Sequence, residues 1–290
     1  MTWNHQIVLQ AVTFAPTCSM LMALPIALPI ALPMALPLTL LGGMPAEARL
    51  SPTHAAVPTR PQAANSAADW VNQGLAQVEQ GNHQAAIISY TRAIQVDPNY
   101  AEAYMQRGIA YHIIGDYDQA ITNFQTAVQK DPDSAEAYYN LGEARTYSND
   151  LTGAMQAFDQ AIEINPNYPE AYNSRGVLYA LAGKFDQALA DFNQVITIDP
   201  NYADAYYNRG KPRTELGDAA AAIDDYTRAI SLDPSLAGAY GNRGVLYFQT
   251  GNRASALADL QRAAELFEQQ GDQAGYQQTQ FYLQQVRQSW

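Results

Sequence analysis

Amide side chains recur at one position of the sequence, spaced by 34 residues. Asparagine stands there four times, and glutamine and serine fill the two gaps: Asn72, Gln106, Asn140, Ser174, Asn208 and Asn242. An amide can both donate to and accept from a peptide backbone, so a row of amides can hold an extended chain without selecting its side chains. The alternative is that these amides cap or bridge neighbouring helices.

Carboxylates follow the same interval, at Glu102, Glu136, Glu170 and Asp204. Each is the acid expected in the first turn of a helix, where the helix dipole favours negative charge. Acid–base catalysis would need a concave pocket and a break in this interval. The only cysteine is Cys18, in the N-terminal apolar region, and no Ser-His-Asp arrangement is indicated. The sequence therefore predicts a protein that is not an enzyme, because only the low-complexity N-terminus is left for a catalytic segment.

Metal ions, cofactors and nucleic acid are not expected ligands. The four histidines, His5, His54, His83 and His112, do not cluster at metal-ligand spacing. A net charge of −12, from 28 acids against 16 bases, repels phosphate backbones, and no run of Lys and Arg offsets it. Metal delivery through carboxylates and His112 remains an alternative.

Proline marks a period in the chain, because Pro98, Pro132, Pro166, Pro200 and Pro234 are each 34 residues apart. A fixed period of this length is typical of a solenoid of stacked helix pairs. Each proline falls just past a predicted helix end, beside the Asp and Asn residues that favour a turn. An isolated pair could not bury its apolar face, so the pairs must stack.

Three further positions repeat with the prolines. They hold an aromatic residue, a glycine four residues later and an alanine in the next helix: Trp70, Tyr104, Tyr138, Tyr172, Tyr206 and Tyr240; Gly74, Gly108, Gly142, Gly176, Gly210 and Gly244; Ala86, Ala120, Ala154, Ala188, Ala222 and Ala256. This pattern closely resembles the tetratricopeptide repeat. The resemblance implies an all-α, right-handed superhelical solenoid of antiparallel helix pairs. It predicts six repeats over 67–270: 67–100, 101–134, 135–168, 169–202, 203–236 and 237–270.

In such a solenoid the first helix of each pair lines a concave groove. Helical spacing then predicts the peptide-binding residues to be Asn72, Met105, Ile109, Tyr139, Asn140, Glu143, Asn173, Val177, Tyr207, Asn208, Lys211, Asn242 and Phe248. The amide row is similar to the asparagine ladder of the O-GlcNAc transferase family, whose catalytic domain is absent here. Lys211 is the main basic residue that faces the groove, whereas several carboxylates lie at its edge. We therefore expect the groove to prefer extended neutral or basic segments of other proteins.

Arginine precedes the repeat glycine four times, at Arg107, Arg175, Arg209 and Arg243. An aliphatic residue normally packs at this place, so we interpret the arginines as ion-pair or hydrogen-bond partners between repeats. They are not expected to contact a ligand.

The fifth repeat departs from the pattern in "NRGKPRTELGD". Pro212 cannot donate to the Asn208 carbonyl and disfavours helical geometry at Lys211, which predicts a kinked or shortened first helix. Such a bend would open the groove beside Lys211, whereas sequence drift is the alternative without a function.

Beyond the sixth repeat, residues 271–290 place Tyr276, Leu283 and Val286 on one helical face, with glutamines over much of the rest. This arrangement predicts a capping helix. The alternative is a dimerisation helix that exposes Phe281, Tyr282 and Trp290.

Residues 1–48 are apolar and contain "ALPIALPIALPMALPL". The stretch is long enough to cross a bilayer, but its prolines disfavour a regular helix. Ala46 and Ala48 form a small-x-small pattern, which predicts a signal peptide cleaved before Arg49 although the usual basic N-terminal region is missing. A membrane anchor, or neither role, is the alternative. Residues 49–66, rich in Pro, Ala, Ser and Thr, are predicted to be a flexible linker.

These observations together predict a non-catalytic scaffold or assembly factor that is exported to a periplasmic or lumenal compartment. The alternatives are a membrane-anchored adaptor and an assembly factor of an envelope or photosynthetic membrane that delivers metal. The membrane is a partner only through residues 1–48, if they are retained.

Overall fold

The computed structural model describes residues 65–288 of the 290-residue chain, which form thirteen α-helices and no strand. The helices are α1 (Ala67–Glu79), α2 (His83–Val96), α3 (Ala101–Ile113), α4 (Tyr117–Lys130), α5 (Ala135–Tyr147), α6 (Leu151–Ile164), α7 (Pro169–Leu181), α8 (Phe185–Ile198), α9 (Ala203–Glu215), α10 (Ala219–Leu232), α11 (Ala237–Gln249), α12 (Arg253–Gln270) and α13 (Gln273–Gln288). The predicted signal peptide or anchor, Trp290 and nearly all of the predicted linker lie outside the described residues.

Consecutive helices pack as antiparallel pairs, from α1 with α2 to α11 with α12, and each pair stacks on the next. The predicted all-α solenoid is confirmed. The apolar core is a series of local clusters, each of which joins one helix pair to the pair that follows it. None of the helices within residues 65–288 combines the length and the hydropathy that crossing a bilayer requires.

The turn inside each pair uses the left-handed backbone region. Glycine takes this conformation in five pairs, with φ between 70° and 83°: Gly81, Gly115, Gly183, Gly217 and Gly251. In the third pair Asn149 takes it instead, with φ of 64°. Asparagine is among the few residues besides glycine that adopt this region readily, so the turn is retained. Five of the second helices then begin with an Asn or Asp side chain that accepts a backbone N–H: Asn82, Asp116, Asp150, Asp218 and Asn252.

The repeat glycines lie where the two helices of a pair cross. A Cβ atom on Gly142 would lie 2.5 Å from Cε1 of Phe158, a ring that has no solvent exposure. The same close approach is found at Gly108 with Phe124 and at Gly210 with Tyr226. Glycine is therefore required by packing density at these crossings.

The predicted kink or shortening at Pro212 is wrong, because α9 runs unbroken from Ala203 to Glu215. Pro212 is fully buried, at the position where Ala110 and Ala144 pack in earlier pairs. The helix also continues beyond it, since the backbone N–H of Leu216 donates to the Pro212 carbonyl at 2.9 Å. Packing of the ring against the stack therefore overrides the missing donor, and the expected opening beside Lys211 loses its basis.

Helix α13 packs on α12 through Leu283 and Val286, while Tyr276 is half-buried beside them. Its remaining surface is mostly glutamine, as expected for a capping helix. Of the residues named for a dimerisation helix, Tyr282 is half-buried and Phe281 is 56% exposed.

Candidate peptide-binding groove

The predicted groove residues all lie on first helices, but their side chains differ in burial. Asn72 is exposed, and seven others are half-buried: Ile109, Asn140, Glu143, Val177, Lys211, Asn242 and Phe248. In place of the predicted open lining, five side chains pack inside the stack: Met105, Tyr139, Asn173, Tyr207 and Asn208. These five are therefore not free to line an open surface, and peptide contact by the others stays a prediction.

The amides of the predicted row are mostly bonded within the protein. Asn140 donates to the backbone carbonyl of Glu136 at 2.9 Å, and Gln106 donates to the Glu102 carboxylate at 2.7 Å. Asn242 donates to the Tyr226 hydroxyl at 3.4 Å. A peptide backbone would have to compete with these bonds.

Two members of the row bridge neighbouring pairs. Asn208 Nδ2 on α9 donates to Asn173 Oδ1 on α7 at 3.1 Å, and only 2% of Asn208 is exposed. Ser174 Oγ on α7 donates to the Glu143 carboxylate on α5 at 2.8 Å. These contacts match the alternative reading of the amide row, in which its members join successive helices.

Carboxylates form a row along the first turns of α3, α5, α7 and α9, at Glu102, Glu136, Glu170 and Asp204. The first two members interact: burial raises the pKa of Glu136, and the Glu102 carboxylate raises it further. Burial also raises the pKa of the Tyr168 and Tyr202 hydroxyls, with added contributions from nearby carboxylates that include Glu170. The row is therefore a continuous region of negative charge with tyrosines beside it.

Lys211 lies on the same helix as Asp204, about two turns further along α9. Its Nζ lies 4.1 Å from the centroid of the Tyr207 ring and 3.3 Å from Asn208 Oδ1. Burial lowers the pKa of the ammonium to about 7, while the Asp204 carboxylate acts in the opposite direction. Lys211 belongs to none of the ion pairs formed within residues 65–288. It is the one groove lysine that sequence reasoning named, and its partners are an aromatic face and an amide.

The second and third pairs contain an aromatic cluster that the sequence analysis did not predict. His112 contacts Tyr147 edge-on with centroids 4.9 Å apart, and Tyr117 stacks on Tyr147 at 5.2 Å. Burial lowers the pKa of His112. The three residues come from α3, α4 and α5, so the sequence offered no spacing that would join them. In the part of the chain that the structure describes, no group of three His, Cys, Asp or Glu side chains is placed to hold a metal ion.

The arginines that precede the repeat glycines link the second helices. Arg175 donates to both carboxylate oxygens of Asp191 on α8, at 2.9 and 2.7 Å, and to Asp159 on α6 at 2.6 Å. Arg209 and Arg243 make the same kind of bridge, and Arg107 uses Asn123 and Thr91. The predicted role of these arginines between repeats is confirmed.

The helix pairs match known families. The TPR repeat model matches residues 74–115, 108–146, 142–183 and 213–251, just over half of the chain. This chain belongs to the tetratricopeptide repeat (TPR) family. Further TPR models match residues 169–202 and 236–269. TPR domains typically bind proteins or peptides without catalysing a reaction.

Several solved structures are similar to this TPR protein. MamA is 30% identical over 56% of this chain and 94% of that chain, with a TM-score of 0.53. YrrB, described as a TPR protein with an unusual peptide-binding site, is 26% identical over 60% of this chain and 90% of its own, with a TM-score of 0.52. PilF of Pseudomonas aeruginosa shares the fold, at 16% identity, 74% and 97% coverage and a TM-score of 0.65. No curated protein matches the sequence.

Proposed function

We propose that this TPR protein is a non-catalytic scaffold or assembly factor that binds an extended neutral or basic segment of another protein along its first helices. The observation that supports this proposal is the row of carboxylates from Glu102 to Asp204, one in each of four successive pairs. An extended chain that follows first helices meets the same charge at each pair.

The tyrosines beside the row add apolar surface. Tyr168 and Tyr202 are both half-buried, and each precedes a first helix that carries an acid. An aromatic ring next to a carboxylate suits the long aliphatic stem and the charged end of Lys or Arg. Basic residues spaced along the bound segment would therefore contact more than one pair, and several weak contacts would add up.

The charge row gives a direct test. Residues 65–290 are screened against a library of immobilised peptides of about twelve residues, enough to span several repeats when extended. We expect enrichment of Lys and Arg in the bound peptides, and the double variant Glu136→Gln/Glu170→Gln should weaken their binding about tenfold. Raising the salt concentration should also weaken binding.

The matched control is Asp118→Asn/Asp186→Asn, which removes the same charge from exposed positions on second helices. It should leave peptide affinity unchanged. Enrichment of acidic peptides, or equal losses in both double variants, would place the binding surface elsewhere.

We also propose that the protein is exported and that residues 1–48 are removed before Arg49, with a retained membrane anchor as the alternative. The small-x-small pattern of Ala46 and Ala48 supports cleavage. Fractionation of the producing cells followed by intact-mass measurement tests the proposal. A soluble species beginning at Arg49 is expected, and a membrane-bound species that retains Met1 would contradict it.

A further inference from the structure

The aromatic residue that opens each repeat carries an arginine guanidinium over its ring in five repeats, and Tyr138 is the exception. The five pairs are Arg92 with Trp70, Arg107 with Tyr104, Arg175 with Tyr172, Arg209 with Tyr206 and Arg243 with Tyr240, at 4.6 to 5.7 Å from the ring centroid. Four of these arginines precede the repeat glycine. In the third repeat that place is held by Leu141, so no arginine covers Tyr138 from there.

The position 16 residues after Leu141 changes together with it. An arginine at this place normally bonds a polar residue 16 positions before it and another 16 positions after it, as Arg175 bonds Asp159 and Asp191. Around Leu141 the corresponding residues are Gln125 and Ala157. The third repeat therefore lacks both the arginine and the acid that would hold it.

The missing arginine leaves a surface cavity of about 370 Å³ between α4, α5 and α6. Tyr138, Leu141 and Ala157 provide apolar surface in it, and Leu141 and Ala157 are almost fully buried. Amides line the rest, with Gln125 and Gln129 on α4 and Gln156 and Gln160 on α6.

We propose that this cavity binds an arginine side chain presented by a partner protein. In four other repeats the same helices hold a guanidinium over the repeat aromatic residue, so the surroundings of the Tyr138 ring suit that group. The Tyr138 ring would lie under the guanidinium, and Leu141 and Ala157 would contact its aliphatic stem. The glutamine carbonyl oxygens would accept its N–H groups from two helices at once, which the single ammonium of lysine cannot do as well.

Neutral acceptors are sufficient for this role within the same protein. Arg107 donates to Asn123 Oδ1 at 2.8 Å and to Thr91 Oγ1 at 3.0 Å, and forms none of the ion pairs within residues 65–288. The cavity also contains Arg145, but its guanidinium donates to the Gly153 carbonyl at 2.9 Å and lies 3.7 Å from Asp150. The net charge of −12 favours the approach of a basic surface.

The experiment uses ethylguanidinium as the arginine side-chain probe. The protein is labelled at its Leu and Ala methyl groups and titrated by NMR with ethylguanidinium chloride or, at matched salt, ethylammonium chloride. We expect saturable shifts at Leu141 and Ala157 with a dissociation constant on the order of millimolar for so small a ligand. Ethylammonium should bind at least tenfold more weakly.

Two variants serve as matched controls. Leu141→Arg/Ala157→Asp supplies the chain's own arginine and its acceptor, so the response should disappear while the spectrum stays folded. Arg175→Leu/Asp191→Ala removes both members of a pair over Tyr172, and should create a second ethylguanidinium site in the fourth repeat. Replacing Asp191 together with Arg175 avoids an unpaired buried charge, since Asp159, the other partner of Arg175, is exposed.

Equal shifts with both cations, no saturable shift, or a response that persists in a folded Leu141→Arg/Ala157→Asp variant would each overturn the proposal. If that variant does not fold, the Arg175→Leu/Asp191→Ala variant decides by itself, because a gained site supports arginine as the occupant and no gained site contradicts it. These outcomes do not depend on the groove, since the cavity and the carboxylate row share no residue.

Discussion

Replacing Asp225 by alanine is expected to lower the free energy of unfolding by about 3 kcal/mol, because it leaves two arginines without their shared partner. Arg209 donates to Asp225 at 2.6 and 3.0 Å, and Arg213 donates to it at 2.8 Å. The Asp225 side chain is only 3% exposed, so water cannot readily replace the lost bonds. Urea unfolding measures the loss, and hydrogen exchange in α10 locates it.

The neighbouring residue supplies the control. Asp224 lies next to Asp225 on α10 but is exposed, and its replacement by alanine should change stability by less than about 0.5 kcal/mol. Equal losses for the two alanine variants would show that net charge, and not the buried pair, determines the effect.

Replacing Gly142 by valine is expected to cost about 3 kcal/mol of unfolding free energy, because the crossing of α5 and α6 has no room for a side chain. A Cβ atom alone would lie 2.5 Å from Cε1 and 2.7 Å from Cδ1 of Phe158. The ring is fully buried and cannot turn away without moving its neighbours. Thermal and urea unfolding test the prediction.

A second substitution in the same chain distinguishes crowding from helix propensity. Phe158→Leu should recover part of the loss, since Leu260 already occupies the matching position opposite Gly244. Ala190→Val, at an exposed position of α8, measures the cost of a β-branched residue alone. A loss at Gly142 no larger than that at Ala190 would contradict the packing argument.

Most of the fold could be predicted because its determinants are local and repeated. Gly142 and its equivalents mark helix crossings, and proline marks the end of each of the first five repeats. Pro212 was the failure: its local preference predicted a break, but its ring is buried in the stack. The helix preference of proline takes no account of this burial, because the burial depends on residues far away in the sequence.

The groove was predicted less well. Helical spacing placed Asn208 and Tyr207 on the lining, but spacing does not say how deep a side chain lies once successive pairs have closed against each other. Asn208 therefore proved to be buried against Asn173, 35 positions away. The sequence shows that Leu141 replaces the arginine of the other repeats. The cavity beside it could not be predicted, because that requires knowing which helices the other arginines join.

Helix α13 covers the surface of the last pair on which a further pair would stack. Each pair presents to its successor the apolar surface that the successor covers, and α13 covers that surface on the last pair with Leu283 and Val286 while turning mostly glutamines outward. Head-to-tail addition of a second molecule at this side would therefore bury amides in place of an apolar face. The amide face of α13 is therefore a poor surface for the end-to-end stacking that helix pairs show within the chain.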